Sequence, residues 1–196
     1  MDTGHYFDTS PAAPSTPRTV TFALPDLTVD LRTDRGVFSA DRIDPGTRLL
    51  MLEAPPPPPA GDVLDLGCGY GPIAVVLGLR APGTRVWAVD VNERARALTA
   101  ANARAVGATN VTTSGPEDVP AGMRFTAIYS NPPIRVGKAG LDGLLETWVP
   151  RGDVTWLVVS KHLGADSLAR WMASERGWSV ERIVSRVSYR ILEIRP

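Results

Sequence analysis

Apolar and polar positions follow two rhythms along this chain. From residue 61 onward, short runs that are apolar at most positions alternate with longer runs of helical period. "DVLDLG", "TRVWAVD", "NVTT", "FTAIYS" and "DVTWLVVS" predict strands, several of them buried on both faces. Between them, "GPIAVVLGLRA", "NERARALTAANARAVG", the stretch 139–149 and "ADSLARWMASERG" predict helices. Pro72 sits in the first turn of one and Pro82 lies just past its end; Asn92 caps the next and Gly107 stops it. The alternation implies a doubly wound, mostly parallel α/β sheet of seven strands. The last two, "WSVERIVS" and "SYRILEIR", are too close in sequence for a crossover, so they predict an antiparallel hairpin at one sheet edge.

The first 60 residues read differently. "TVTFAL" and "LTVDLR" alternate around Pro25-Asp26, a hairpin signal. "DPGTRLLMLEA" predicts a short helix with Asp44 as N-cap and Pro45 at the first helical position. Five prolines at 55–59 form a polyproline spacer. The division expected is a mobile tail over 1–17, a hairpin, helix and spacer over 18–60, and a main domain over 61–196.

Composition narrows the possibilities. Hydrophobic content of 43%, charged content of 21% and zero net charge describe an ordinary globular chain with no global field to draw it to nucleic acid. Cys68 is the only cysteine, which excludes an intrachain disulfide, and His5 and His162 are too far apart to suggest a metal site. No apolar run approaches the roughly 20 residues of a membrane span, and the N-terminus lacks a signal-peptide core, so no membrane association and a cytoplasmic location are expected.

The chemistry gathers at predicted strand ends. "VLDLGCGYGPIAV" puts Gly67, Gly69 and Gly71 between a strand and a helix, where the backbone can turn sharply and approach a ligand. The spacing is G-x-G-x-G, not the G-x-G-x-x-G of nicotinamide folds, and Asp65 stands beside the expected anion. That combination suits a ligand carrying both an ammonium and a carboxylate. Asp90, ending "VWAVD" about 20 residues on, is placed to accept from both ribose hydroxyls, because Asn92 is there to cap the helix instead. Glu117 or Asp118 in "SGPEDVP" can accept from an adenine amino group.

"YSNPPIRVGK" then leaves a strand through a stiff corner. Proline fixes its own φ and holds the preceding residue extended, so Asn131 and Pro132 are both forced straight. The Asn131 side-chain oxygen and the Pro132 carbonyl become two fixed acceptors for a planar amino group. Such a group has its lone pair delocalised, and two acceptors favour the pyramidal, nucleophilic form.

Glycine loop, ribose acid and adenine-side acid at successive strand ends resemble the class I S-adenosylmethionine-dependent methyltransferases. With "TDRGVFS", "FTAIYSNPPIRVGK" and "WLVVSKHLGADSLARW", the chain resembles the methyltransferase small domain family, which includes the small-subunit ribosomal RNA guanine-N2 methyltransferases. The resemblance implies S-adenosylmethionine as cofactor, held by Asp65, Gly67, Cys68, Gly69, Tyr70, Gly71, Asp90, Val91, Glu117 and Asn131. It implies amino-group chemistry at Asn131, Pro132, Pro133 and Ile134. Isoleucine at 134 departs from the aromatic residue that adenine and glutamine enzymes of this type carry, and leaves guanine N2 as the favoured acceptor. Phe38, or Tyr6 and Phe7 in the tail, can supply the stacking ring.

Arg135 and Lys138, with Arg182, Arg186 and Arg190 of the last hairpin, are candidates for phosphate contacts. The expected partner is RNA, and ribosomal RNA in particular. Methylation of a protein glutamine or a small-molecule amine through the same acceptors, and a non-catalytic cofactor-binding module, are the alternatives.

Overall fold

The computed structural model describes residues 14–132, 137–186 and 188–196. The predicted tail is therefore described only from residue 14, and Tyr6, Phe7, Pro133, Ile134 and Arg135 lie outside the described residues.

Two strands, β1 (Arg18–Ala23) and β2 (Thr28–Thr33), form the predicted antiparallel hairpin. Helix α1 (Pro45–Glu53) follows, capped as expected by the Asp44 carboxylate with Pro45 in its first turn. The main sheet contains β3 (Gly61–Leu66), β4 (Thr84–Val89), β5 (Val111–Ser114), β6 (Ala127–Ser130), β7 (Thr155–Ser160), β8 (Ser179–Arg186) and β9 (Tyr189–Arg195). Between these strands come α2 (Pro72–Arg80), α3 (Glu93–Ala105), α4 (Gly137–Trp148) and α5 (Ala165–Arg176). The strand order is β5-β4-β3-β6-β7-β9-β8. All neighbours are parallel except those of β9, which runs against both β7 and β8. The apolar run "FTAIYS" is only partly strand: β6 begins at Ala127, and Phe125 makes a single bridge to Gly152.

The period of two along the buried strands explains the layers. On β3, Val63 packs with Val75 and Val76 of α2, whereas Leu64 and Leu66 point the other way, into a cluster with Phe125 and Trp148. On β7, Trp156 and Val158 face the first layer, while Leu157 and Val159 face Leu145 of α4 and Met172 of α5. Helices therefore cover both faces.

The N-terminal segment is not a loose appendage. Phe22, Leu31 and Leu50 are fully buried in the same cluster as Val63, Val76 and Val86. Polar ties reinforce the junction. Arg80 grips Asp26 through two bonds of 2.8 Å and donates to the Met51 carbonyl at 2.7 Å. The buried Asn102 of α3 takes the Arg32 N–H and donates to the Arg32 carbonyl, each at 2.8 Å. The proline spacer is held by Tyr129, whose hydroxyl donates to the Pro55 carbonyl at 3.1 Å.

Candidate functional site

Strand order reverses between β3 and β6, and crossovers leave these neighbours in opposite directions. An open α/β sheet forms its ligand crevice at the carboxyl ends of such a pair. Both stretches singled out in the sequence lie there: the glycine loop follows β3 and Asn131 follows β6. Ser130 Oγ donates to the Leu66 carbonyl at 2.8 Å and holds the two strand ends together.

The loop is pinned from below. Gly67 N–H and Cys68 N–H both donate to the Val89 carbonyl, at 2.8 and 3.0 Å. All three glycines have positive φ, of 79°, 57° and 93° in order. At Gly71 a side chain is also excluded by space: an added Cβ would stand 2.9 Å from the Thr99 side chain. At Gly69 the same added atom would meet nothing within 4 Å.

Asp90 is buried, and its carboxylate accepts from Gly69 N–H and Asn92 N–H, both at 2.9 Å. Burial raises its pKa, and the two backbone donors and Arg96 oppose the rise. Asn92 caps α3 as the sequence implied, accepting from Arg94 N–H and Ala95 N–H. Asp90 thus latches the glycine loop to the end of β4, with lone pairs to spare for further donors.

Asp65 stands behind the loop and is not among the residues lining the cavity described below. One oxygen accepts from Ala74 N–H at 2.9 Å and so caps α2 from a distance, since Gly71 has no side chain with which to do so. The other oxygen is buried with no hydrogen-bond partner among the described residues. Burial pushes the carboxyl up to about 8 against the pull of Ala74 N–H, and neighbouring Asp90 adds to the rise. Cys68 is 3% exposed, and burial holds its thiol well above the usual range, so it fills the loop as a small residue.

A cavity is lined by Gly67, Cys68, Gly69, Tyr70, Pro72 and Ile73 on the loop side, by Asn131 on the strand side, and by Phe38, Ser39, Asp44 and Thr47 on the N-terminal side. Phe38 thus lines the cavity beside the glycine loop. The Asn131 carboxamide is held firmly. Its nitrogen donates to Asp44 Oδ2 at 2.8 Å and to Thr47 Oγ1 at 2.9 Å, which leaves Oδ1 on the opposite side of the planar group.

Other expected residues lie elsewhere. Lys138 pairs with Asp142 at 2.6 Å and lies over the Trp171 ring, in a separate cleft between α4 and the start of α5. It does not line the glycine cavity. Arg182 and Arg186 of the final hairpin are engaged by Asp166 and Glu53, at 3.1 and 3.0 Å. Arg190 is largely buried and 3.9 Å from Asp166. The hairpin arginines are thus balanced by acids, because the carboxylates that neutralise them come from distant parts of the sequence. Glu117 is exposed in a short 3-10 turn after β5, folded over Gly115, and Val91 is exposed beside Asp90.

Asp44 and Thr47 line the candidate site and bond Asn131, which the sequence did not reveal. Asp44-Pro45-Gly46-Thr47 carries the complete signature of a helix start, and that local role hides the contact to Asn131, 87 residues away. Among the described residues no group of three His, Cys, Asp or Glu side chains is placed to hold a metal, and no helix is long and apolar enough to cross a membrane.

Comparison with known proteins agrees with this geometry. The methyltransferase small domain family matches residues 28–192. The Bacillus subtilis protein YbxB, described as uncharacterized, is 35% identical over 169 residues, which make up 83% of this chain and 84% of that one. Ribosomal RNA small subunit methyltransferase C of Pectobacterium atrosepticum is 38% identical over 141 residues, 69% of this chain but 38% of that protein. Its counterpart from Shewanella pealeana is 31% identical over 147 residues, 71% of this chain and 42% of that protein. The chain thus spans about two fifths of the length of these two relatives. Among solved structures, the T. Thermophilus 16S rRNA N2 G1207 methyltransferase (RsmC) in complex with AdoMet and guanosine superposes with a TM-score of 0.73 at 22% identity, over 94% of this chain and 52% of that one, a likeness of fold. The chain belongs to the methyltransferase small domain family, a class I fold of S-adenosylmethionine-dependent methyltransferases.

Proposed function

We propose that this protein methylates the exocyclic N2 amino group of a guanine in structured RNA, with ribosomal RNA as the substrate class. The observation that carries the reading is the orientation of Asn131. Its nitrogen is turned to the start of α1, its oxygen lies on the other side of the amide, and the residue lines a cavity with the glycine loop and Phe38. The two relatives named ribosomal RNA small subunit methyltransferase C support the substrate class.

S-adenosylmethionine supplies a methyl group on a positively charged sulfonium sulfur. The residues present suit such a ligand. A loop of positive-φ glycines and the first residues of α2 line the cavity, and two buried acids lie behind it. The Asn131 oxygen and the Pro132 carbonyl orient the amino group, and Phe38 supplies the face on which a planar base stacks. Bound there, S-adenosylmethionine would give its methyl carbon to the amino nitrogen's lone pair and keep the S–C electron pair on sulfur. The surplus proton on nitrogen passes to water. Holding the reactants in line supplies most of the acceleration. Arg35 and Arg42 are exposed on the N-terminal segment and suit phosphate positioning.

The test is labelled-methyl transfer to small ribosomal subunits, total RNA and protein extract from cells lacking this protein. Label is expected in N2-methylguanosine after digestion of the RNA. Label confined to protein would overturn the reading. Asn131→Ala is expected to reduce transfer on the order of 10²–10³-fold, as removal of one preorganised polar contact to a transition state does, a larger loss than any in affinity for S-adenosylhomocysteine.

A further inference from the structure

We infer that Asp44 and Thr47 are positioning residues, which fix the carboxamide of Asn131 so that its oxygen, and not its nitrogen, meets the acceptor. The inference rests on the acceptor role proposed for Asn131.

An asparagine amide is nearly symmetric in shape, and either end can enter a polar site. Only the hydrogen-bond partners decide which end does. A threonine hydroxyl accepts or donates, so Thr47 alone leaves both orientations open. A carboxylate has no proton to give. With Asp44 Oδ2 at 2.8 Å, only the Nδ2 end can face α1. Asp44 cannot rotate away cheaply, because the same oxygen accepts from Gly46 N–H at 2.8 Å and Thr47 N–H at 3.1 Å. The N-cap of α1 thus serves as a fixed anionic post, and the two Nδ2 hydrogens go to the post and to the Thr47 hydroxyl.

The surroundings leave this post little room. An added Cβ at Gly46 would lie 2.9 Å from Asp44 Oδ2 and 2.9 Å from the Tyr189 ring. Thr47 is 4% exposed. The charge acts on the acceptor as well. Hydrogen bonds in series polarise one another, so donation to a carboxylate makes the amide oxygen at the far end a better acceptor. That oxygen faces a nitrogen that becomes positive as the methyl arrives. The wall that holds the acceptor amide is therefore built by the segment before the repeating β/α part of the fold.

Three variants separate this role from a structural one. Asp44→Ser keeps a good N-cap, but its side chain is too short to cap α1 and reach Asn131 together. Thr47→Val removes the second acceptor, and Thr47→Ser restores it. With small ribosomal subunits as methyl acceptor, Asp44→Ser and Thr47→Val are each expected to lower kcat about 10- to 100-fold, with Thr47→Ser near the parent. Calorimetric affinity for S-adenosylhomocysteine is expected to stay the same in all three. Unchanged kcat in both Asp44→Ser and Thr47→Val, while Asn131→Ala is inactive, overturns the inference and leaves the acceptor role standing. Full transfer by Asn131→Ala overturns the acceptor role itself. A readout independent of turnover is the 15N spectrum of the Asn131 side chain. Its two Nδ2 protons are expected to be distinct and protected from exchange in the parent and to lose protection in Asp44→Ser. Identical spectra overturn the inference even if a variant is too unstable to assay.

Discussion

Asn102 donates to the Tyr70 carbonyl at 2.8 Å, and through the same carboxamide it also holds both backbone groups of Arg32. One buried side chain therefore ties the glycine loop to the N-terminal hairpin. Asn102→Ala leaves the buried Tyr70 carbonyl and the part-buried N–H and carbonyl of Arg32 without this partner. A destabilisation of about 2–4 kcal/mol is expected, since each such orphan costs roughly 1–3 kcal/mol with some relaxation. Urea unfolding measures it; a loss under 1 kcal/mol would mean that water replaces the amide.

Asp90 grips Gly69 N–H and, in the proposed reading, the ribose of the cofactor. Asp90→Ala removes both. Affinity for S-adenosylhomocysteine is expected to fall about 10- to 100-fold, in line with one charge-assisted hydrogen bond of roughly 1.5–3 kcal/mol. Calorimetry decides, and an unchanged Kd would refute the ribose assignment.

Asp65 makes the ligand-free fold sensitive to pH. Its carboxyl titrates near its ordinary 3.8 in the unfolded chain and at about 8 in the fold. Between these values the native state binds the extra proton, so stability falls as pH rises through this window. The contribution is fully present below pH 3.8 and gone above about 8. Asp65→Asn stays neutral throughout and is expected to flatten this part of the profile. Parallel melts from pH 5 to 9 test it, and parent and variant curves with the same slope would show that the carboxyl ionises freely in the fold.

Gly71 combines a φ of 93° with the close approach of Thr99. Gly71→Ala is expected to destabilise by about 1–3 kcal/mol, the cost of a left-handed residue plus a clash. Thr99→Ala removes the two nearest atoms and, with them, a 2.9 Å bond to the Gly69 carbonyl, while the residue's Cα remains 3.1 Å from the added methyl. The double variant is expected to be less destabilised than the sum of the singles, and strict additivity would show that the clash is relieved elsewhere.

Much of this architecture is legible in the sequence because local signals carry it. Pro72, Asn92 and Gly107 mark helix ends that the structure reproduces nearly to the residue. The two-sided apolar character of β7 is visible in "TWLVVS", and the closeness of β8 and β9 forces their antiparallel pairing. The glycine loop and Asn131 converge because strand order places them together, and the alternating pattern implies that order only through the fold class. What stays hidden is long-range and polar. Nothing near residue 44 announces a partner at 131, and nothing in "ERIVSR" announces that Asp166 and Glu53 will neutralise its arginines. The local partners of Lys138 are hidden for a related reason: helix α4 turns it toward Asp142 and Trp171.

Phe22, Leu31 and Leu50 fill the same interior as Val63 and Val76. The acceptor-side wall therefore cannot behave as an exchangeable cassette. Grafting another recognition segment onto the β/α scaffold would mean rebuilding the scaffold's own filling. Drift in substrate preference should then arise by substitution along 35–47, within an unchanged hairpin frame, more readily than by replacement of the frame.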